Sequence, residues 1–178
     1  MKKRNNSTSL LFFMGTLILF SFTLTSCQNK SSKFEWSEKE KEIAKKEISN
    51  VVKGVIENAE KADFQSAMKP YLNSPEFTII NPDGSIDDYK NFKIKGIESF
   101  KQLTAYYQTT IKEEYRFLNK DLVLYTWIGK AEIELKTGEK MNFESYVGTM
   151  LFNKLNNEWK ITYAQETASV PVIKSIIK

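Results

Sequence analysis

The chain has 178 residues, one cysteine and no histidine, with 26 basic and 22 acidic residues for a formal net charge of +4. The missing histidine excludes Ser-His-Asp and Cys-His catalysis and any histidine-built zinc or iron site, and a single thiol excludes an internal disulfide. Charges of both signs are interspersed, which argues against the concentrated basic face that a nucleic-acid partner requires.

Lys2, Lys3 and Arg4 open the chain, and no acidic residue precedes Glu35. Leu10 to Leu24 is then almost wholly apolar, broken only by Gly15, Thr16, Ser21 and Thr23. This run is shorter than the ~20 residues a bilayer-spanning helix needs. A basic start, a short apolar core and small residues at its end mark a secretory leader. The closing Leu24-Thr25-Ser26-Cys27 resembles the lipobox of bacterial lipoproteins, whose cysteine is acylated and whose chain is cut just before it. That resemblance implies cleavage between Ser26 and Cys27 and palmitate-type lipid on Cys27. It also implies a place in the bacterial cell envelope, on the outer membrane facing the periplasm. Three of the 26 basic residues leave with residues 1–26, so the remaining chain is close to neutral. With Cys27 acylated, no thiol is left as a metal ligand or nucleophile; neither a metal nor a cofactor is expected.

Residues 27–36 then form the lipidated cysteine and a polar tether. Ser37-Glu38-Lys39-Glu40 has the spacing of a capping box. Behind it Ala44, Ile48, Val51, Val52, Val55, Ile56 and Ala59 fall at helical spacing and predict one apolar stripe. Asp63 is placed to cap a short second helix running toward Lys69, which Pro70 stops. Phe77 to Ile80 reads as a strand, and Asn81-Pro82-Asp83-Gly84 as a turn. Alternation from Tyr89 to Lys95 suggests another strand, and Ile97, Phe100, Leu103, Ala105, Tyr106 and Tyr107 suggest a third helix. Beyond residue 112 the chain turns to strands: Glu113–Leu118, Leu122–Leu135, Lys140–Lys154 and Glu158–Thr167. Helices first and consecutive antiparallel strands afterwards give an α+β layout, a curved sheet folded over helices.

Several of these strings, in this order, resemble nuclear-transport-factor-2-like domains, a group that takes in SnoaL-like and ketosteroid-isomerase-like proteins. They are Asp63-Phe64 with Ala67, Phe77 through Gly84, Gly96-Ile97 with Phe100, and the closing Glu158-Trp159-Lys160-Ile161-Thr162-Tyr163. The resemblance spans residues 37–170 and leaves 171–178 as a tail, whose apolar Val170-Pro171-Val172-Ile173 is expected to pack on its own domain. It implies a cone, with a strongly curved antiparallel sheet wrapped around the N-terminal helices and an apolar cavity at the open end. On the last strand, alternation gives Trp159, Ile161, Tyr163 and Gln165 one face, so Tyr163 and Gln165 are candidate pocket residues. Relatives often carry histidines at those two positions, and their absence here removes histidine-dependent activity. Tyr125 and Trp127, Tyr146, and Tyr106 or Tyr107 complete the candidate pocket. Arg116 is the one arginine outside the leader and a candidate anion contact.

Two functions stay open. In the first, the cone is non-catalytic and binds a small apolar ligand or an envelope protein, with a homodimer through the sheet implied by the family. In the second, it is a histidine-free isomerase, dehydratase or cyclase of the ketosteroid-isomerase type, built on a pocket carboxylate and tyrosines. The carboxylates favour the first. Asp83, Asp87 and Asp88 stand at a glycine turn and are expected to be solvated, and strict alternation with an inward Tyr163 turns Glu166 outward unless a bulge intervenes. A buried carboxylate beside Tyr125, Tyr146 or Tyr163 would reverse the preference.

Overall fold

The computed structural model describes residues 35–175, and the leader, Cys27 and the rest of the chain before residue 35 lie outside the described residues. Ser37 caps helix α1 (Glu38–Glu60) with both arms of the capping box: its hydroxyl accepts from the Glu40 amide at 3.3 Å, and its own amide donates to Glu40 Oε2 at 2.8 Å. Ala44, Ile48, Val52 and Ala59 form the buried stripe of α1. Asp63 accepts from the Ser66 amide at 2.9 Å and starts the short α2 (Phe64–Ala67). Strands β1 (Thr78–Ile80) and β2 (Ile86–Asp87) flank the expected turn, where Gly84 sits at a φ of 83°.

The next segment corrects the sequence reading twice. Residues 89–95 are not a strand but the start of helix α3 (Tyr89–Phe100), capped by Asp88, whose carboxylate accepts from the Asn91 amide at 2.7 Å. Phe92 is packed against the core, and with Tyr89, Gly96 and Phe100 it follows a three- and four-residue spacing that the alternation obscured. The helix ends at Phe100, so Tyr106 and Tyr107 are not helical. They belong to β3 (Leu103–Asn119), where pairing with the far end of β4 (Leu122–Leu135) draws Leu103 to Tyr107 into the sheet. Asp87 is also a correction: it is 5% exposed, accepts from Asn81 Nδ2 at 2.7 Å and pairs with Lys95 Nζ at 2.7 Å.

Strands β5 (Glu139–Leu155), β6 (Glu158–Ala168) and β7 (Val172–Ser175) complete the sheet. Its order is β2-β1-β6-β5-β4-β3, an open path with β2 and β3 at the edges. All pairings are antiparallel except that of β1 on β6, which is parallel. Asn156 and Asn157, both at positive φ, make the tight turn between β5 and β6. Residues 172–175 of the tail pair through the backbone with Glu139–Asn142 of β5, beside the stretch that β6 occupies. Val170, Val172 and Ile173 stay exposed, however, so the expected packing of its apolar side chains is not met. Bulges interrupt β3–β4, β4–β5 and β5–β6, and each adds local bend. The curved sheet closes its concave side over α1: Ile48 and Val52 pack with Val123, Tyr125, Trp127, Phe152 and Ile161 in one core.

Candidate functional site

One cavity of about 330 Å³ opens between the helices and the concave face of the sheet. Helix α1 contributes Val52, Val55 and Ile56, and α2 and α3 contribute Phe64, Phe92 and Phe100. Phe64 stacks closely on α3 because Gly96 has no Cβ; one built there would stand 2.1 Å from the Phe64 ring. The sheet supplies Tyr106, Trp127, Tyr146, Gly148, Met150 and Glu166, and the segment after α2 supplies Tyr71. The walls are therefore mostly apolar, with one carboxylate and three phenols among them.

Glu166 reaches this wall because β6 is bulged. Leu151 pairs with Tyr163 but Phe152 pairs with Ile161, which leaves Thr162 without an opposite residue. The Thr162 hydroxyl donates to the Leu151 carbonyl at 3.2 Å. Past the bulge the inward parity changes. Trp159 and Ile161 are buried before it, and Ala164 is buried after it with Glu166 next in phase. Tyr163 and Gln165 consequently leave the concave face and do not line the cavity; they touch one another, Tyr163 Oη lying 3.4 Å from Gln165 Oε1.

Tyr146 Oη donates to Glu166 Oε2 at 2.6 Å, across the adjacent strands β5 and β6. Burial pushes the Glu166 carboxyl above the usual carboxylate range, and the Tyr146 hydrogen bond opposes that shift without cancelling it. The phenols respond to the same surroundings. Burial first, and the Glu166 charge second, raise Tyr71, Tyr106 and Tyr146 well beyond the usual phenol range, so all three stay protonated. Tyr71 is 7% exposed and its ring packs edge-on to Phe77 at 5.7 Å, which fixes its orientation. Trp127 is held by its indole N–H, which donates to Thr110 Oγ1 at 2.8 Å.

Of the residues singled out from sequence, Tyr106, Trp127 and Tyr146 line the cavity, and Tyr107, Tyr125, Tyr163 and Gln165 do not. Tyr107 is 55% exposed on β3. Tyr125 is fully buried in a second polar cluster, where its hydroxyl donates to Glu113 Oε1 at 2.7 Å and Ser49 Oγ lies 3.3 Å from Glu113 Oε2. Arg116 is exposed on β3, away from the cavity. Sequence reasoning missed Tyr71, Gly148 and the inward turn of Glu166. One signal for the last was present: the small residues Ala164 and Ala168 are even-numbered, whereas Trp159 and Ile161 are odd. Among the described residues no group of three or more Cys, Asp or Glu side chains is placed to hold a metal ion.

No protein-family model matches the sequence, and no curated protein matches it significantly. Solved structures do match. A hexachlorocyclohexane dehydrochlorinase from Novosphingobium barchaimii superposes with a TM-score of 0.66 at 9% identity, over 79% of this chain and 97% of that one. A candidate scytalone dehydratase from Novosphingobium aromaticivorans gives 0.68 at 6% identity, over 79% and 94%. A nuclear transport factor 2-like superfamily protein from Salmonella enterica gives 0.64 at 15% identity, over 76% and 96%. At these identities the likeness is one of fold, and the chain has the α+β fold of nuclear-transport-factor-2-like proteins, a curved, unclosed sheet over N-terminal helices.

Proposed function

We propose that this protein is a bacterial envelope lipoprotein whose cone moves protons on small apolar substrates, as an isomerase, dehydratase or related lyase. The observation that carries the catalytic part is the Tyr146–Glu166 pair inside an apolar cavity. A carboxylate raised toward neutrality by its surroundings is a stronger base than a solvated one and remains able to return the proton. Glu166 takes a proton from a C–H adjacent to a substrate carbonyl, and the electron pair moves toward the carbonyl oxygen. Tyr71 and Tyr106, held protonated, are donors on the same cavity wall for that developing charge. Return of the proton at another carbon completes an isomerisation. An elimination is completed when a β-hydroxyl leaves as water with the proton that Glu166 holds, or when a β-halide leaves as the anion and Glu166 gives its proton to solvent. Two of the solved structures of like fold carry dehydratase or dehydrochlorinase in their names, which agrees with the second outcome. The envelope location rests on the lipobox at Cys27.

The test uses a chain lacking residues 1–27 and the two-ring ketone 2-tetralone, following exchange of its α-hydrogens in D₂O by NMR. The parent chain is expected to accelerate exchange, with a rising pH limb above the ordinary glutamate range, and Glu166→Gln to return it to the solvent rate. Equal exchange with the parent and with Glu166→Gln sinks the catalytic reading and leaves a binding cone.

A further inference from the structure

Three glycines lie on or beside the cavity wall, and two of them have structural reasons. Gly96 admits the Phe64 ring, and a Cβ on Gly129 would stand 2.3 Å from the Thr109 carbonyl and 2.4 Å from the Trp127 ring. Gly148 has neither reason. Its φ is not positive, and a Cβ built on it would meet only the mobile end of Met150, Cε at 3.2 Å. A glycine inside a strand costs stability and packs nothing. What its missing side chain leaves is space that the Met150 methyl, the far end of a flexible side chain, covers and that a ligand can share by pushing it aside. This space lies beside Glu166.

The register shows where. Trp127 on β4, Gly148 on β5 and Glu166 on β6 are direct neighbours across three strands, and all three face the cavity. On β5 itself the inward side chains before and after Gly148 are Tyr146 and Met150. The six-membered ring of Trp127 leans over Gly129, away from the space above Gly148. Tyr146 reaches sideways to Glu166 Oε2. The result is a patch of backbone flanked by Trp127 and Tyr146 and covered only by the flexible Met150 methyl, with the carboxylate at its edge.

We propose that Gly148 is a specificity-determining floor, on which a flat, neutral substrate of one or two rings lies with its reacting C–H edge toward Glu166. This rests on the proton-transfer reading only for the role of Glu166; the floor itself is a statement about binding. Neutrality follows from the walls, which carry no cation to meet a substrate anion. Size follows from the volume: about 330 Å³ stands at the lower end of the ~300–1,000 Å³ range of ligand pockets, suited to one or two rings rather than four.

The experiment measures 2-tetralone binding by calorimetry to the parent chain lacking residues 1–27 and to Gly148→Ala, Gly148→Val and Glu166→Gln, with thermal unfolding of each. Gly148→Ala is expected to fold as the parent does and to weaken binding. Gly148→Val is expected to weaken it by at least about tenfold, the low end of what one misplaced methyl-sized group costs in an apolar pocket. Glu166→Gln is expected to bind as the parent does while losing exchange. Three results overturn the inference: parent-like binding by both Gly148 variants, no binding of 2-tetralone by the parent, or tighter parent binding of the four-ring progesterone. If Gly148→Val fails to fold, Gly148→Ala alone decides. Loss of binding in the Gly148 variants together with Glu166-independent exchange would keep the floor and remove the catalytic reading.

Discussion

Glu166 is under two opposing pressures, since burial disfavours its charged form and the Tyr146 hydroxyl favours it; burial is the larger, and its pKa is raised from the ordinary 4.5. Between the unfolded value and the raised native one, the native chain holds a proton that the unfolded chain has released, so stability falls as pH rises through that window. Glu47 has the opposite sign. Burial raises it, but hydrogen bonds from Trp159 and Lys154 together outweigh that and lower its pKa, so its contribution is lost as pH falls. A difference between variant and parent isolates Glu166 from such groups. Glu166→Gln is expected to gain on the parent in urea denaturation as pH rises from 4.5, by about 1.4 kcal/mol for each unit of native shift. A difference that stays constant across that window overturns the raised pKa. At this scale Trp127 was legible, because β4 alternates without a break around it; Tyr146 was named although a bulge of β5 adjoins it, Tyr106 was expected in a helix, and Tyr71 was missed. The inward Glu166 was not legible, because its facing depends on a residue count that the bulge at Thr162 alters.

Among elements, α1 and β4 match their sequence signatures because both are governed by local rules: a capping box with a 3.6-residue stripe, and unbroken alternation through Val123, Tyr125 and Trp127. The stretch from Asp87 to Tyr107 does not, because there local propensity was overruled by partners distant in sequence. Leu103 to Tyr107 became strand by pairing with Glu132 to Leu135, while the helix before it starts at the local Asp88 cap and was hidden by the alternation of residues 89–95. Asp87 ties this region down. Its carboxylate receives Asn81 Nδ2 and Lys95 Nζ, which joins the β1–β2 turn to α3. Asp87→Ala is expected to cost about 1–3 kcal/mol, since it removes a buried carboxylate that bonds both Asn81 and Lys95; Asn81 Nδ2 keeps its contact to Ser85 Oγ at 3.0 Å, and most of the Lys95 side chain stays in water. Chemical denaturation measures it, and a loss below about 0.5 kcal/mol would assign the contact to the weak surface class.

At the scale of the whole molecule, the bulged strands and their helices make a cone with one carboxylate and three phenols at a mostly apolar cavity, and α3 and α2 wall that cavity with phenylalanines. The proposed anchoring is a separate matter from this architecture and has its own measurement. Cys27→Ala is expected to abolish metabolic labelling with an alkyne palmitate and to move the protein from the detergent to the aqueous phase on partition; unchanged partition would sink the anchor. The sequence alone determined what chemistry is absent, since a chain without histidine cannot acquire one by folding. It also determined the α+β order, since α1 and the strands β4 to β6 carry their own periods, although the boundary between α3 and β3 was not legible. Only the tertiary structure decided which carboxylate enters the cavity and which glycine leaves space beside it. A bulge is defined by the neighbouring strand, and an empty space by everything around it, so neither is written in the residues that create it.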